Sequence, residues 1–443
     1  MKKMYLSKII KTNREMYLFD ALNTSFTAIE SEDEIYDDIK YADFLRNSNF
    51  RDIKQPCEFD VKYPYSEVEL KRMFSGGIKS MTLALTEQCN LRCKYCGYTP
   101  KYLEDNYKLE SMPKEIAFKA IDILINGSHE SELCHIGFYG GEPLLNLDLI
   151  KECVAYVNDK YPFRKPSYNI TTNAVLLVDK VADFLIENDI QIIISLDGPQ
   201  KEQNKYRVDG KGNSSFEKVF QNIQALYRKD PKYFRENVTY NVVMFNGASN
   251  ELFEAVDTLW KSDVNMIDLF PTEYFMQTRD RSDKIHKDEI IDIKNYDFAY
   301  KNLLKSMKKY YNSFCESACS NTIFPGGFCI PGIRKDFVTT DGRIIVCEKV
   351  DENQEVFEIG DVYKGIDINK IDRLVNKTLE SLEKCKSCWA AKFCKICFKD
   401  ILNINGDFCE KAREEVEREL GYYLDQVSNN RGVINYVANI SLI

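Results

Sequence analysis

Cys89-Asn90-Leu91-Arg92-Cys93-Lys94-Tyr95-Cys96 presents three thiols in a CxxxCxxC run, directly after the strand-like stretch Met81-Thr82-Leu83-Ala84-Leu85-Thr86. Thiolates suit iron–sulfur clusters or zinc, and a complete site of either kind usually takes four ligands. No fourth cysteine or histidine stands beside these three. The run therefore points to a cubane cluster with one iron left open for a substrate or cofactor. Half of a zinc site is the competing reading.

Outward from this run, strand-like and helix-like stretches alternate from about residue 80 to 270. Strands are expected at Ser80–Thr86, His135–Tyr139, Tyr168–Thr172, Gln191–Leu196, Val238–Val243 and Asn265–Phe270. Helices are expected between them at Lys114–Ile125, Leu147–Asn158, Asp179–Asn188, Ser215–Arg228 and Glu251–Lys261. Such alternation argues for an α/β fold with a parallel sheet and right-handed crossovers. Six units with their chemistry at the strand C-terminal ends fit a partial (β/α)6 barrel of the TIM type.

With aromatic Tyr95 ahead of its last cysteine, the thiol run resembles the signature of the radical S-adenosylmethionine (SAM) enzymes. The resemblance implies that Cys89, Cys93 and Cys96 hold a [4Fe–4S] cluster whose open iron chelates the methionine amino and carboxylate groups. Gly140-Gly141-Glu142-Pro143, after the second strand, looks like the motif that holds the amino group. Glycines let the backbone approach a ligand closely, and a carboxylate accepts bonds from an ammonium. Thr171-Thr172-Asn173 lies in the position of a Thr-Asn-Gly motif, with Ala174 replacing the glycine. Ser195-Leu196-Asp197-Gly198-Pro199 is similar to the peptide- and sulfatase-modifying branch, where the serine contacts the ribose. That branch places an arginine, here Arg207, on the methionine carboxylate, for which a guanidinium fork is the best available clamp. Leu269, in the expected sixth strand, would touch the adenine.

The totals agree with a sizeable globular protein. The 443 residues allow two or three domains, and 44% apolar with 29% charged residues is ordinary for such chains. A net charge of −9 argues against a duplex nucleic-acid partner. No apolar run approaches the roughly 20 residues that span a bilayer, and the first residues lack a signal-peptide core. A cytoplasmic protein without a membrane partner is expected. Fifteen cysteines in that setting point to metal rather than disulfides, and three histidines make imidazole chemistry an unpromising alternative. Cys57, Cys134 and Cys153 stand alone and read as unligated thiols.

Residues 1–79 form a unit of their own, with strands expected at Tyr5–Lys11, Glu15–Asp20 and Ser25–Glu30 and a helix at Glu32–Leu45. Three strands and a helix resemble the start of the winged-helix-like domain that grips leader peptides by β-augmentation. A structural cap on the barrel is the other reading. Residues 80–305 would be the barrel. The charged stretch Thr272 to Asn312 reads as a helical link and carries no motif.

Residues 306–443 hold the remaining cysteines. Cys329, twelve residues, Gly342, four residues and Cys347 match the opening CX9–15GX4C of the SPASM domain, and Cys385, Cys388 and Cys394 follow its CX2CX5C. Asp341-Gly342 signals a hairpin between Phe337–Thr340 and Arg343–Val346. Cys394 and Cys397 are separated by two residues where the family has three. Carried over, the pattern assigns Cys385, Cys388, Cys394 and Cys409 to one auxiliary [4Fe–4S] cluster. Cys329, Cys347 and Cys397 go to another, with Cys319 or Cys315 as its fourth ligand or an open iron there. Two structural zinc sites are the alternative. A helix over Glu410–Leu424 should pack above the last cluster.

The resemblance implies three [4Fe–4S] clusters, a low-potential electron donor such as flavodoxin or ferredoxin, and a ribosomally made precursor peptide as substrate. The expected product is a cysteine sulfur-to-carbon thioether. Formylglycine formation by an anaerobic sulfatase-maturing enzyme is the alternative within the superfamily; the residues ahead of Met81 favour the peptide maturase. A non-catalytic Fe–S or zinc-binding protein is the alternative from another class. No catalytic acid or base stands out by spacing.

Overall fold

Residues 7–11, 16–20 and 25–29 form an antiparallel meander of β1 (Ser7–Lys11), β2 (Met16–Asp20) and β3 (Ser25–Ile29), paired in that order. The first turn is closed by Thr12, whose hydroxyl accepts from the backbone N–H groups of Arg14 and Glu15 at 3.2 and 3.0 Å. This is how a short hydroxyl side chain substitutes for a backbone acceptor in a turn. The structure is a computed structural model that describes residues 6–12, 14–21, 25–30, 58–98, 109–244, 274–278, 322–325, 329–394 and 396–429. The expected helices Glu32–Leu45 and Glu251–Lys261, together with Leu269, Cys57, Cys315 and Cys319, lie outside those residues. After β4 (Asp60–Val61) and α1 (Glu67–Gly76) the chain enters its main sheet.

Six parallel strands form that sheet's first part. They are β5 (Ser80–Ala84), β6 (His135–Tyr139), β7 (Ser167–Thr172), β8 (Gln191–Ser195), β9 (Val238–Met244) and β10 (Tyr274–Thr278). Connecting them are α2 (Lys114–Asn126), α3 (Leu147–Lys160), α4 (Asp179–Glu187), α5 (Gln200–Tyr206), α6 (Phe216–Lys229) and α7 (Pro231–Asn237). The expected sixth strand, Asn265–Phe270, lies outside the described residues; the segment that pairs with β9 is Tyr274–Thr278. Its Tyr-Phe-Met-Gln-Thr run has the aromatic β-character, but it sits inside a charged stretch whose overall pattern read as helix. The short helices α5 and α7 were also not expected; α7 is started by Asp230, which accepts from Lys232 and Tyr233 N–H.

β11 (Thr322–Ile323) pairs with β4. The main sheet then continues past β5 through β12 (Asp336–Val338), β13 (Arg343–Ile345), β14 (Glu358–Asp361) and β15 (Gly365–Ile366), giving ten strands in the order β10-β9-β8-β7-β6-β5-β12-β13-β14-β15. β12 runs parallel to β5, and the last three strands are antiparallel. The expected Asp341-Gly342 hairpin is therefore an extension of the parallel sheet. Gly342 takes φ +92° at its turn, a conformation that L side chains resist. α8 (Ile368–Ser381) and α9 (Gly406–Asn429) complete the described chain.

The two faces of the parallel part differ. Leu83, Phe138, Ile170, Ile192 and Val238 lie in register across five strands, all essentially without solvent exposure. Each such side chain stabilises the fold by about 1.5–3 kcal/mol relative to leaving it in water. On the other face Thr82, Gly137 and Asn169 are in register, followed towards the C-terminal ends by Thr171 and Ser195. Parallel sheets usually carry apolar runs on both faces, so a polar second face is free to meet a ligand.

Two compact units divide the chain: Met1–Glu67, Leu303–Phe328 and Asp372–Ile443 in one, Val68–Asn302 and Cys329–Ile371 in the other. The main sheet belongs to the second. In the first, Leu6, Ile10, Phe19 and Phe59 share a core with Leu382, Cys385, Phe393, Ile396, Val416, Leu420 and Leu424. Phe19 of β2 meets Trp389 edge-on and Phe393 at a tilt, with ring centroids 6.4 and 5.8 Å apart.

Candidate active site

Cys89, Cys93 and Cys96 lie on the loop that leaves the C-terminal end of β5. The loop is pinned to the segment after α5 by backbone bonds from Arg92 N–H to Val208 and Lys94 N–H to Tyr206. Burial pushes the Cys89 thiol up to about 12 and the Cys93 thiol to about 11; Cys96 raises both further, and Cys93 raises Cys89. Buried thiols that face each other become thiolates only beside positive charge, and a cluster's irons supply that. Among the described residues no group of three or more His, Cys, Asp or Glu side chains is set to hold a single metal ion. A cluster asks for a different geometry, since each cysteine binds its own iron. The donor set of this loop fits such a group.

Three strand ends and the end of α5 surround the loop. After β6, a Cβ on Gly140 would stand 2.3 Å from the Thr86 carbonyl oxygen, and one on Gly141 2.3 Å from that of Gln88. The two glycines thus let the β6 end close onto the stretch leading into the thiol loop, sealed by Gly141 N–H to Thr86 O and Glu142 N–H to Gln88 O. Glu142 is fully buried. Its Oε1 accepts from Leu144 N–H at 3.1 Å and Thr172 Oγ1 at 2.7 Å, and its Oε2 from Asn173 N–H at 2.8 Å. A carboxylate has about four acceptor positions, so one on Oε2 is left for an incoming ammonium. Burial raises Glu142 to about 7 despite these bonds, which marks a site short of positive charge.

After β7, Thr172 also accepts from Ala174 N–H at 3.0 Å, and Asn173 points its Nδ2 at Asn90 Oδ1 (2.8 Å) and at Cys89 Sγ (3.7 Å). Ala174 adopts φ +59°, the left-handed conformation for which the resembling motif has glycine. After β8, Ser195 is buried in register with Asn241 of β9. Arg207, at the end of α5, gives its Nε to Asp197 Oδ2 at 2.9 Å and turns Nη1 towards Cys93 Sγ at 3.9 Å. Both partners of the pair are at least nine-tenths buried, and breaking such a pair from one side costs about 3–5 kcal/mol. Tyr95 donates its hydroxyl to the same Asp197 carboxylate and lays its ring 5.4 Å from the Arg207 guanidinium. Asp197 in turn accepts from Val243 N–H at 3.1 Å.

Residues 83–259 match the Radical SAM superfamily. This stretch of the chain is a radical SAM domain. Among curated relatives, a cysteine-type anaerobic sulfatase-maturating enzyme of Clostridium novyi is 32% identical over 163 residues, 35% of this chain and 43% of that protein. The radical SAM cyclopropyl synthase TigE of Paramaledivibacter caminithermalis is 24% identical over 308 residues, 61% of this chain and 63% of its own length. The chain thus spans less than two thirds of either relative. A solved structure described as native anSMEcpe with bound AdoMet and Cp18Cys peptide covers 82% of this chain and 99% of its own, with a TM-score of 0.56 at 19% identity, and so shares the fold.

Within the radical SAM domain the structure brings together Cys89, Cys93, Cys96, Tyr95, Gly140, Gly141, Glu142, Thr172, Asn173 and Arg207, with Ser195 at the neighbouring strand end. The sequence reading gave no role to Asp197, although it lies inside the quoted Ser195–Pro199 motif, nor to Asn222, a mid-helix asparagine that no motif marks. Further along, Cys329 and Cys347 flank the β12–β13 hairpin in the same unit. In the other unit Cys385, Cys388, Cys394 and Cys409 act on one another electrostatically, and burial lifts Cys385 to about 12 and Cys394 to about 11. Cys397 is absent from that set. Its thiol faces Asp400, which also accepts from Cys397 N–H at 3.1 Å. Among the described residues no helix is long and apolar enough to cross a membrane.

Proposed function

We propose that this chain is a cytoplasmic peptide maturase that binds SAM on the Cys89, Cys93, Cys96 cluster and installs cysteine sulfur-to-carbon thioethers in a ribosomally made precursor peptide. One observation carries the reading: a three-thiol loop, a buried carboxylate with one free acceptor position and a buried guanidinium meet at the C-terminal ends of parallel strands. Glu142 and Arg207 would hold the amino and carboxylate groups of the cofactor, Ser195 its ribose, and Leu269 its adenine. When bound and reduced, SAM supplies the 5′-deoxyadenosyl radical that removes a hydrogen atom from an unactivated carbon.

The rest of the reading follows the same resemblance. Residues 80–305 would be the partial (β/α)6 barrel and residues 306–443 a SPASM domain with two auxiliary [4Fe–4S] clusters. Cys385, Cys388, Cys394 and Cys409 would hold one; Cys329, Cys347 and Cys397 the other, with Cys319 or Cys315. Flavodoxin or ferredoxin would deliver the electron. Residues 1–79 would bind the leader, and β3, an edge of the described three-stranded sheet, offers a place for β-augmentation. The similarity to the Clostridium novyi enzyme supports a second reading, formylglycine formation on a sulfatase.

Mass spectrometry separates the two. Anaerobically reconstituted protein is incubated with SAM, reductant and cysteine-containing precursor peptides or a sulfatase peptide. The thioether reading expects a peptide that has lost two hydrogen atoms per cross-link and no longer alkylates at cysteine. Loss of sulfur with gain of an aldehyde establishes the second reading, and absence of 5′-deoxyadenosine overturns both.

A further inference from the structure

Asn173 has its amide orientation settled by its neighbours. Val175 N–H can only donate, and it reaches Asn173 Oδ1 at 3.0 Å. The other end of the amide is therefore the donor, and it bonds Asn90 Oδ1 at 2.8 Å while lying 3.7 Å from Cys89 Sγ. Leu91 N–H approaches the same sulfur at 3.4 Å. The turn that aims Asn173 contains Ala174 at φ +59°, a left-handed conformation that strains an L residue and needs an outside restraint. Asn222, buried on α6, supplies it: Nδ2 donates to the carbonyls of Ala174 and Val175 at 2.8 and 2.9 Å. The backbone N–H of Asn173 is meanwhile anchored on Glu142.

We propose that Asn173 is a positioning residue that donates a hydrogen bond to the Cys89 thiolate, that Asn222 holds it in place from the neighbouring helix, and that together they raise the reduction potential of the cluster on Cys89, Cys93 and Cys96. The inference rests on the cluster assignment above. An N–H directed at a ligand sulfur stabilises the reduced cluster, which carries one more negative charge, over the oxidised one. Outer-shell partners of this kind set the electronics of a metal site as much as the ligands do. The device lets β7 and α6, which supply no thiol, tune the electron delivered at β5.

The test is an EPR-monitored redox titration of the full-length reconstituted protein, following the signal that changes when SAM is added. Asn173→Asp keeps the acceptor for Val175 N–H and the turn, but replaces the donor with an anion. Asn173→Leu removes the donor without charge. Both should shift the midpoint to more negative values, Asn173→Asp further, with iron content unchanged; Asn222→Ala should shift it the same way by less. A wild-type signal indifferent to SAM overturns the cluster assignment itself. A responsive wild type with unshifted Asn173 variants overturns the tuning role alone, as does loss of the cluster in both variants, which would make Asn173 a folding residue.

Discussion

The two thiol sets that lie within single units sit in opposite surroundings. Around Cys89, Cys93 and Cys96 stand a buried guanidinium, a buried carboxylate with an open acceptor position and an amide aimed at sulfur. Of the four-thiol set, Cys385 lies in a core with Phe393, Ile396, Ala390 and Leu420 that β1 and β2 share, and Cys388 and Cys394 pack against that core. Three thiols amid polar groups leave a corner for a ligand that must be held by charge. Four thiols amid apolar side chains close on themselves, and their surroundings serve packing. Ligand count and dielectric together separate a reactive site from an electron-holding or structural one.

The sharpest way to break this comparison is to exchange the losses. Replacing Cys89, Cys93 and Cys96 with Ala should abolish cleavage of SAM while the iron held by the four-thiol set remains. Replacing Cys385, Cys388, Cys394 and Cys409 with Ala should remove iron there and lower the melting temperature of the unit containing β1–β3, because Cys385 sits in its core and Cys388 and Cys394 pack against it. Cleavage of SAM without substrate should survive the second change. Iron and 5′-deoxyadenosine measured side by side on the two variants decide the matter; equal loss of cleavage in both would erase the distinction.

A smaller effect comes from the charge deficit at Glu142. Burial raises its carboxyl from 4.5 to about 7 in the folded chain. Below pH 4.5 both folded and unfolded states are protonated and nothing is lost. Between 4.5 and 7 the unfolded chain releases its proton while the folded chain keeps it, so stability falls as pH rises and levels off above 7. The loss amounts to about 3 kcal/mol across that window, at about 1.4 kcal/mol per unit. Denaturant unfolding of the wild type against Glu142→Gln at pH 4.5 and 7 should show the difference. SAM, bringing an ammonium to the free Oε2 position, should shrink it. A wild type that gains stability over Glu142→Gln as pH rises would contradict the charge-deficit account.

What the sequence made legible was whatever repeats or carries unusual chemistry. The apolar row Leu83, Phe138, Ile170, Ile192 and Val238 comes from stretches whose strand character is plain, and the thiol spacing and the Gly140–Glu142 motif name their own residues. Three things were not legible. β10 is a strand because β9 offers it an edge, and a partner 30 residues away leaves no mark on local pattern. β12 joins β5 over a still larger separation, so the hairpin was visible but its place in the sheet was not. Asp197 and Asn222 act by orienting Arg207 and Asn173, and a residue that works through another has no spacing of its own to read.

Ala174 gives the finest test of how the first thiol set is held. The residue is fully buried and left-handed, in the place where the resembling motif has glycine. An L residue there is strained by about 1–2 kcal/mol, whereas glycine takes the conformation freely but loses more chain entropy on folding, by about 0.4–1 kcal/mol. Ala174→Gly should therefore stabilise the protein by about 0.5–1 kcal/mol in denaturant unfolding, with the Asn222 bonds preserved. If those bonds alone impose the turn, the combination Ala174→Gly with Asn222→Ala should recover part of the stability that Asn222→Ala loses, because a glycine turn needs less restraint. Strict additivity of the two changes would show that the turn at Ala174 and the clamp from α6 act independently, and the region around Cys89 would then owe its geometry to Glu142 and the β6 glycines.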